Sequence, residues 1–162
     1  MKTLMIAASA AVLSMVAVSA AQAQAYGTVG YAGVEADDAN LGALQGRLGY
    51  RFNPYLAVEG EAAFGISDDT VSGVDVELKH EVGVFGVVTA PLSPSFELFA
   101  RAGYTGASFD TTLGDLDTDG FAYGVGGQYN VTDKDGVRLD WTRHDHDDVE
   151  ADVWSIGYSR KF

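Results

Sequence analysis

Cysteine is missing from this chain and positive charge is scarce: its 162 residues carry 10 Lys and Arg against 23 Asp and Glu, a formal charge of −13. Without cysteine no disulfide staples the fold, so a large core or a closed hydrogen-bonded sheet must hold it together. So acidic a protein repels nucleic acid, which removes that class of partner. Helical periodicity is lacking too, because beyond Ala25 no stretch repeats its apolar residues every 3.6 positions. The long apolar run, Leu4 to Val18 behind Lys2, is short for a membrane-spanning helix and is broken by Ser9 and Ser14. It leads into two overlapping A-x-A sites, Ala21 to Ala23 and Ala23 to Ala25, the pattern of a secretory signal peptide. Residues 1–25 are therefore expected to be removed, with cleavage after Ala23 or Ala25, and residues 26–162 to form one domain. Loss of Lys2 leaves 10 − 1 = 9 basic against 23 acidic side chains, a net of −14.

What the chain does contain is alternation. Eight stretches with a period of two, near 26–35, 41–52, 55–66, 76–90, 96–109, 120–130, 136–146 and 151–162, predict an all-β, antiparallel up-and-down meander. Tight turns at Asn53-Pro54, Pro91 to Ser95 and Val131 to Asp135 alternate with polar, mostly longer connections at 36–40, 67–75, 110–119 and 147–150. One face of each strand is apolar and the other charged. Leu44, Leu48, Tyr50 and Phe52 oppose Gln45, Arg47 and Arg51; Phe96, Leu98, Ala100 and Tyr104 oppose Glu97, Arg101 and Thr105. A soluble eight-stranded barrel would put its apolar face inside. Here the charged face also holds many small residues (Gly30, Ala32, Gly49, Ala57, Ala63, Gly83, Gly103), which suits a narrow barrel interior better than a wall in water.

Aromatics on the apolar face recur at two levels: Tyr55 with Phe64, Phe96 with Tyr104, Phe121 with Tyr129, Trp154 with Phe162. At ~3.3 Å per residue and a tilt near 40° these pairs are roughly 20–23 Å apart along the axis, which matches girdles flanking an outer-membrane apolar band of about 25 Å. The expectation is an eight-stranded transmembrane β-barrel.

Three segments carry a family resemblance: Phe52-Asn53-Pro54-Tyr55-Leu56-Ala57-Val58-Glu59-Gly60 across the first tight turn, Phe96 to Tyr104, and the ending Trp154-Ser155-Ile156-Gly157-Tyr158-Ser159-Arg160-Lys161-Phe162. With them the chain resembles the small eight-stranded outer-membrane β-barrels, the OmpA/OmpX/opacity-like group of porin-family barrel-domain proteins. The resemblance implies a monomer in the outer membrane of a Gram-negative cell, exported through the periplasm, with its tight turns periplasmic. It implies contact with outer-membrane lipid and lipopolysaccharide. It also implies that the terminal Phe162, with Tyr158, Ile156 and Trp154 on its face, is read by the barrel-assembly machinery. Arg160 departs from the pattern, since that place is usually apolar; a rim arginine can reach lipid headgroups.

With that orientation the inward charges are Arg47, Arg51, Lys79, Arg101 and Arg138 against Glu59, Glu61, Glu77, Glu81, Glu97 and Asp140. Near balance favours ion-pair packing over an open pore, which would gain from one dominant sign. A passive channel for small solutes is the runner-up. Some members of such barrels modify lipid A with Ser and His, but no serine neighbours His144 or His146 in sequence, so catalysis ranks third and no cofactor is called for.

Two motifs hint at metal. Asp115, Asp117, Asp119 and Gly120 fit the first half of an EF-hand loop, but position twelve is Gly126, which cannot close the coordination sphere. These aspartates are expected in the third long loop, with Gly120 opening the sixth strand. His144 and His146 with Asp145, Asp147 and Asp148 are read as a solvated loop before they are read as ligands, although by parity His144 pairs with the inward face. Acidic residues (among them Glu35, Asp37, Asp38, Asp68, Asp69, Asp75, Asp110 and Glu150) crowd the outer ends. Either divalent cations bridge these carboxylates to lipopolysaccharide phosphates in a diffuse way, or the charge simply keeps the loops solvated.

Overall fold

The computed structural model describes residues 24–36, 39–66, 68–71, 74–111, 114–146 and 150–162, with side chains described outside 35–41, 67–79, 109–117 and 146–149. The expected signal peptide falls outside the described residues except for Gln24 and Ala25. The strands are β1 (Gln24–Ala36), β2 (Ala39–Asn53), β3 (Leu56–Gly65), β4 (Asp68–Val71), β5 (Val74–Pro91), β6 (Phe96–Thr111), β7 (Gly114–Asn130), β8 (Asp135–His146) and β9 (Glu150–Lys161). Each pairs antiparallel with its sequence neighbour or, for β1 and β9, with the other end of the chain, and a β3–β5 pairing closes the ring. β4 pairs only with the start of β5 and prolongs β3 past Ile66, so the barrel has eight staves, the third in two pieces. Closure leaves no long edge of unpaired backbone groups, which is how a cysteine-free sheet holds itself together.

Side chains close the tight turns. Asn53 Oδ1 accepts the N–H groups of Tyr55 and Leu56 at 2.8 and 2.9 Å around Pro54. Ser93 Oγ does the same for Ser95 and Phe96, and Thr132 Oγ1 for Lys134 and Asp135. These are the Asx and ST turns that short polar residues form with backbone two and three places on.

The opposite end differs from the sequence expectation. The described residues of the connections expected at 36–40, 67–75 and 110–119 are strand: β1 runs to Ala36 and β2 begins at Ala39, β6 runs to Thr111 and β7 begins at Gly114; the connection expected at 147–150 lies outside the described residues except for Glu150. Asp115, Asp117 and Asp119 accordingly lie within β7, paired with Asp110, Ser108 and Gly106, and Gly120 sits inside that strand instead of opening it. An extended backbone cannot wrap three carboxylates around one ion as a turning loop does. Strands β5, β6 and β7, of 18, 16 and 17 residues, exceed the roughly 9–11 needed to cross a bilayer and continue past it as paired ribbon. Polarity there marks contact with water; it does not mark loss of backbone pairing.

The faces are sorted as a lipid-facing barrel requires. Leu48 is 64% exposed while Glu59 is wholly buried. Inside, three layers stack. Tyr26, Ala57, Val87 and Phe99 cluster toward the tight-turn end, charged residues fill the middle, and Ala32, Val34, Ala43, Ala63, Ala107 and Val153 form an apolar layer toward the other end. The wall bends sharply where glycine permits it: a Cβ on Gly103 would sit 2.0 Å from the Val84 carbonyl oxygen.

Candidate functional site

The middle layer is a cross-barrel network of charges. Arg47 on β2 donates through Nε to Glu61 Oε2 at 2.6 Å and through Nη1 and Nη2 to Asp140 on β8 at 2.6 and 2.8 Å. Arg101 on β6 donates to the same Glu61 Oε2 at 2.6 Å, and its Nη1 lies 3.8 Å from Asp140. Arg138 on β8 forks onto Glu59 of β3 at 2.5 and 3.1 Å, and Tyr26 donates to Glu59 Oε1 at 2.6 Å. One step nearer the tight turns, Arg51 grips Glu97 at 2.9 and 3.1 Å.

Two rings complete the packing: the Arg101 guanidinium lies 3.5 Å from the centroid of Phe85, and that of Arg138 lies 3.9 Å from Phe99. Bidentate arginine–carboxylate forks and flat stacking are what guanidinium does better than ammonium, which fits the use of arginine at all four of these positions. Glu61 is the cross-strand neighbour of Arg47, but Asp140 on β8 reaches Arg47 on β2, and Arg138 on β8 reaches Glu59 on β3, from the far side of the ring, so the network crosses the lumen. Buried ionic side chains and two phenyl rings occupy the place where a channel would run.

The predicted inward residues Arg47, Arg51, Glu59, Glu61, Glu81, Glu97, Arg101, Arg138 and Asp140 are thus brought together in one interior. Glu77 and Lys79 are not described as side chains, and the alternation that grouped them with Glu81 is interrupted. A bulge between Leu78 and His80 shifts the register by one, so that Glu77 pairs with Asp110 while Glu81 pairs with Ala107. The expected girdle residues Tyr55, Phe64, Phe96, Tyr104, Phe121, Tyr129, Trp154, Tyr158 and Phe162 all lie exposed on the outer wall.

His144 is a correction. The solvated-loop reading fails and the inward parity holds: the residue lies on β8, 2% exposed, with Nδ1 at 3.3 Å from Glu81 Oε1 and 3.5 Å from Thr105 Oγ1. His146 ends β8 and its side chain is not described. Among the candidate metal residues Asp119 is described, exposed, and accepts a hydrogen bond from Tyr104 at 2.5 Å. No group of three or more His, Asp or Glu side chains able to hold a metal occurs among the described residues.

Sequence reasoning missed the interior rings. Phe99 shares the parity of Glu97 and Arg101, and Phe85 that of Glu81, so the alternation carried the signal; Tyr26 was likewise on the inward parity of Thr28.

A closed antiparallel ring with an apolar exterior, aromatic girdles and an ion-paired interior is a transmembrane β-barrel. The chain belongs to the outer membrane protein beta-barrel domain family, whose model matches residues 5–162. Its fold is similar to that of Ail, the attachment invasion locus protein of Yersinia pestis, at 23% identity and a TM-score of 0.64, covering 87% of this chain and 99% of that one. The N-terminal barrel domain of Pseudomonas aeruginosa OprF gives 12% identity and a TM-score of 0.65 over 87% and 100% of the two chains. Neisserial surface protein A gives 19% and 0.59 over 86% and 97%. At these identities the likeness is one of fold. Comparison with curated proteins gives no match.

Proposed function

We propose that this protein is a non-enzymatic, non-conducting barrel of the outer membrane whose work is to occupy the membrane and present its acidic edge. The observation that carries the reading is the cross-barrel network: Arg47 joins Glu61 and Asp140 across the lumen at 2.6 to 2.8 Å, all of them buried. A selective pore would instead line a wet path with one dominant sign. Catalysis on lipid needs a base open to the bilayer, and His144, buried in the lumen, does not support it.

The partners follow from the surfaces. Lipid contacts the apolar wall, and β9 with Trp154, Ile156 and Tyr158 outward, followed by the exposed Phe162, suits recognition by the barrel-assembly machinery. The Ail structure is described in complex with sucrose octasulfate, a heparin analogue; the acidic edge here repels such polyanions. Arg143 offsets part of that edge, 2.7 Å from Glu150 and 3.9 Å from Asp152. Purified protein in planar bilayers is expected to give no sustained single-channel events. Frequent, stable openings would replace this reading with the passive channel.

A further inference from the structure

Arg160 interrupts the apolar outward face of β9 and takes no part in the lumen. It also stands at the start of a concavity of about 780 Å³ in the outer wall. Two adjacent hydrogen-bonded rows make this groove. One runs Arg160, Gly27, Leu48, Gly60, Val84, Tyr104 across six strands. The next runs from Tyr158 through Val29 to a floor of Gly46 and Ala62 and ends at Gly106. Glycine and alanine lower the wall between taller side chains, so a convex barrel acquires a trough.

Five steps of ~4.8 Å make the trough about 24 Å long, more than the ~15 Å of one leaflet's hydrocarbon. It is also oblique. Arg160 is the last residue but one of β9, at the tight-turn rim, whereas Tyr104 stands eight residues along β6 from that rim. Thr28, Arg47, Glu61 and Thr105 also line it but turn their side chains into the lumen; the outward side chains are apolar or aromatic until Arg160, whose half-exposed guanidinium is anchored through Nη1 alone, to Asp135 Oδ1 at 2.9 Å and the Tyr158 hydroxyl at 3.3 Å. Its Nη2 and Nε have no protein acceptor among the described residues. A pre-positioned guanidinium fork at the mouth of an apolar trough matches a phosphate joined to an acyl chain.

We propose that the groove seats an acyl chain of a periplasmic-leaflet phospholipid whose phosphate is bound by Arg160. The choice of leaflet rests on the tight turns facing the periplasm, and the acidic opposite rim argues against an anionic headgroup there. The proposal is independent of whether the lumen conducts.

Native mass spectrometry of the barrel refolded in non-ionic detergent with equimolar phosphatidylglycerol, phosphatidylethanolamine, diacylglycerol and lipid A tests it. One retained phospholipid is expected, at least tenfold over diacylglycerol and lipid A. In Gly46→Leu the added Cβ meets nothing nearer than the Ala62 carbonyl oxygen at 4.0 Å, so the side chain fills the trough without moving the wall. This variant is expected to keep heat-modifiable migration and lose the lipid at least tenfold. Arg160→Gln is expected to lose the preference for phospholipid over diacylglycerol. Undiminished retention in folded Gly46→Leu, equal retention of diacylglycerol by the unmodified protein, or lipid A held in place of phospholipid would each overturn the assignment.

Discussion

Cutting the Glu59–Arg138 pair should reveal whether the lumen is dry. Glu59 is wholly buried, and the Arg138 side chain is 3% exposed. Removing one member strands the other: Arg138→Met leaves the Glu59 carboxylate with the Tyr26 hydroxyl, and Glu59→Met leaves Arg138 with Asp140 at 3.5 Å, a carboxylate that Arg47 already grips twice. Breaking a buried pair in this way costs about 3–5 kcal/mol, roughly two to three and a half orders of magnitude in the folding equilibrium. Removing both charges avoids the stranded ion, so the double variant should lose only about 1–3 kcal/mol, the cost of a Tyr26 hydroxyl left without its acceptor. Adding Tyr26→Phe should recover most of that loss. Urea unfolding in liposomes, read by the migration of unboiled protein, measures all four species. Single variants that lose less than about 1 kcal/mol would mean that water screens the lumen as it does a surface pair. Losses additive to within about 0.5 kcal/mol would mean that the two residues are not a coupled unit. Either result refutes the dry interior.

Two further outcomes are expected. Gly103→Ala should lower refolding yield sharply, because its Cβ would lie 2.0 Å from the Val84 oxygen, whereas Gly46→Ala, with 4.0 Å of room, should refold like the unmodified protein; equal yields would show that the wall at Gly103 relaxes freely. Calcium titration in lipopolysaccharide-containing bilayers should shift resonances of the acidic edge gradually without saturating, since Asp115, Asp117 and Asp119 lie along a strand; a tight saturable site abolished by Asp117→Asn would restore the EF-hand reading.

The fold was legible in the middle of each strand and blurred at one end, for one physical reason. Inside the bilayer a strand must present an apolar face to lipid, so alternation such as Leu44, Leu48 and Tyr50 against Gln45, Arg47 and Arg51 is compulsory and readable. Beyond the bilayer both faces meet water and the requirement lapses. The polar stretch from Asp110 to Asp119 therefore reads as loop although its backbone stays paired from Thr111–Gly114 downward. The bulge at Leu78–His80 was illegible too, because an inserted residue reverses parity without any marked change in composition.

In the interior, parity supplied the members of the network but not its partners. Arg47 and Asp140 are 93 residues apart and meet only because the ring closes through β1 and β9. Counting Lys and Arg against Asp and Glu also missed a participant. Among the described lumenal side chains Arg47, Arg51, Arg101 and Arg138 face Glu59, Glu61, Glu81, Glu97 and Asp140, four charges against five. Glu59, Glu61, Glu97 and Asp140 each hold an arginine within 3.1 Å, and the fifth carboxylate, Glu81, has His144 at 3.3 Å instead. One proton on that pair brings the described lumen to neutrality. The acidic neighbours Asp145, Asp147 and Asp148 drew the reading of this histidine toward the solvent, while its parity on β8, shared with Arg138, Asp140 and Thr142, had already turned it toward the carboxylate that lacked an arginine.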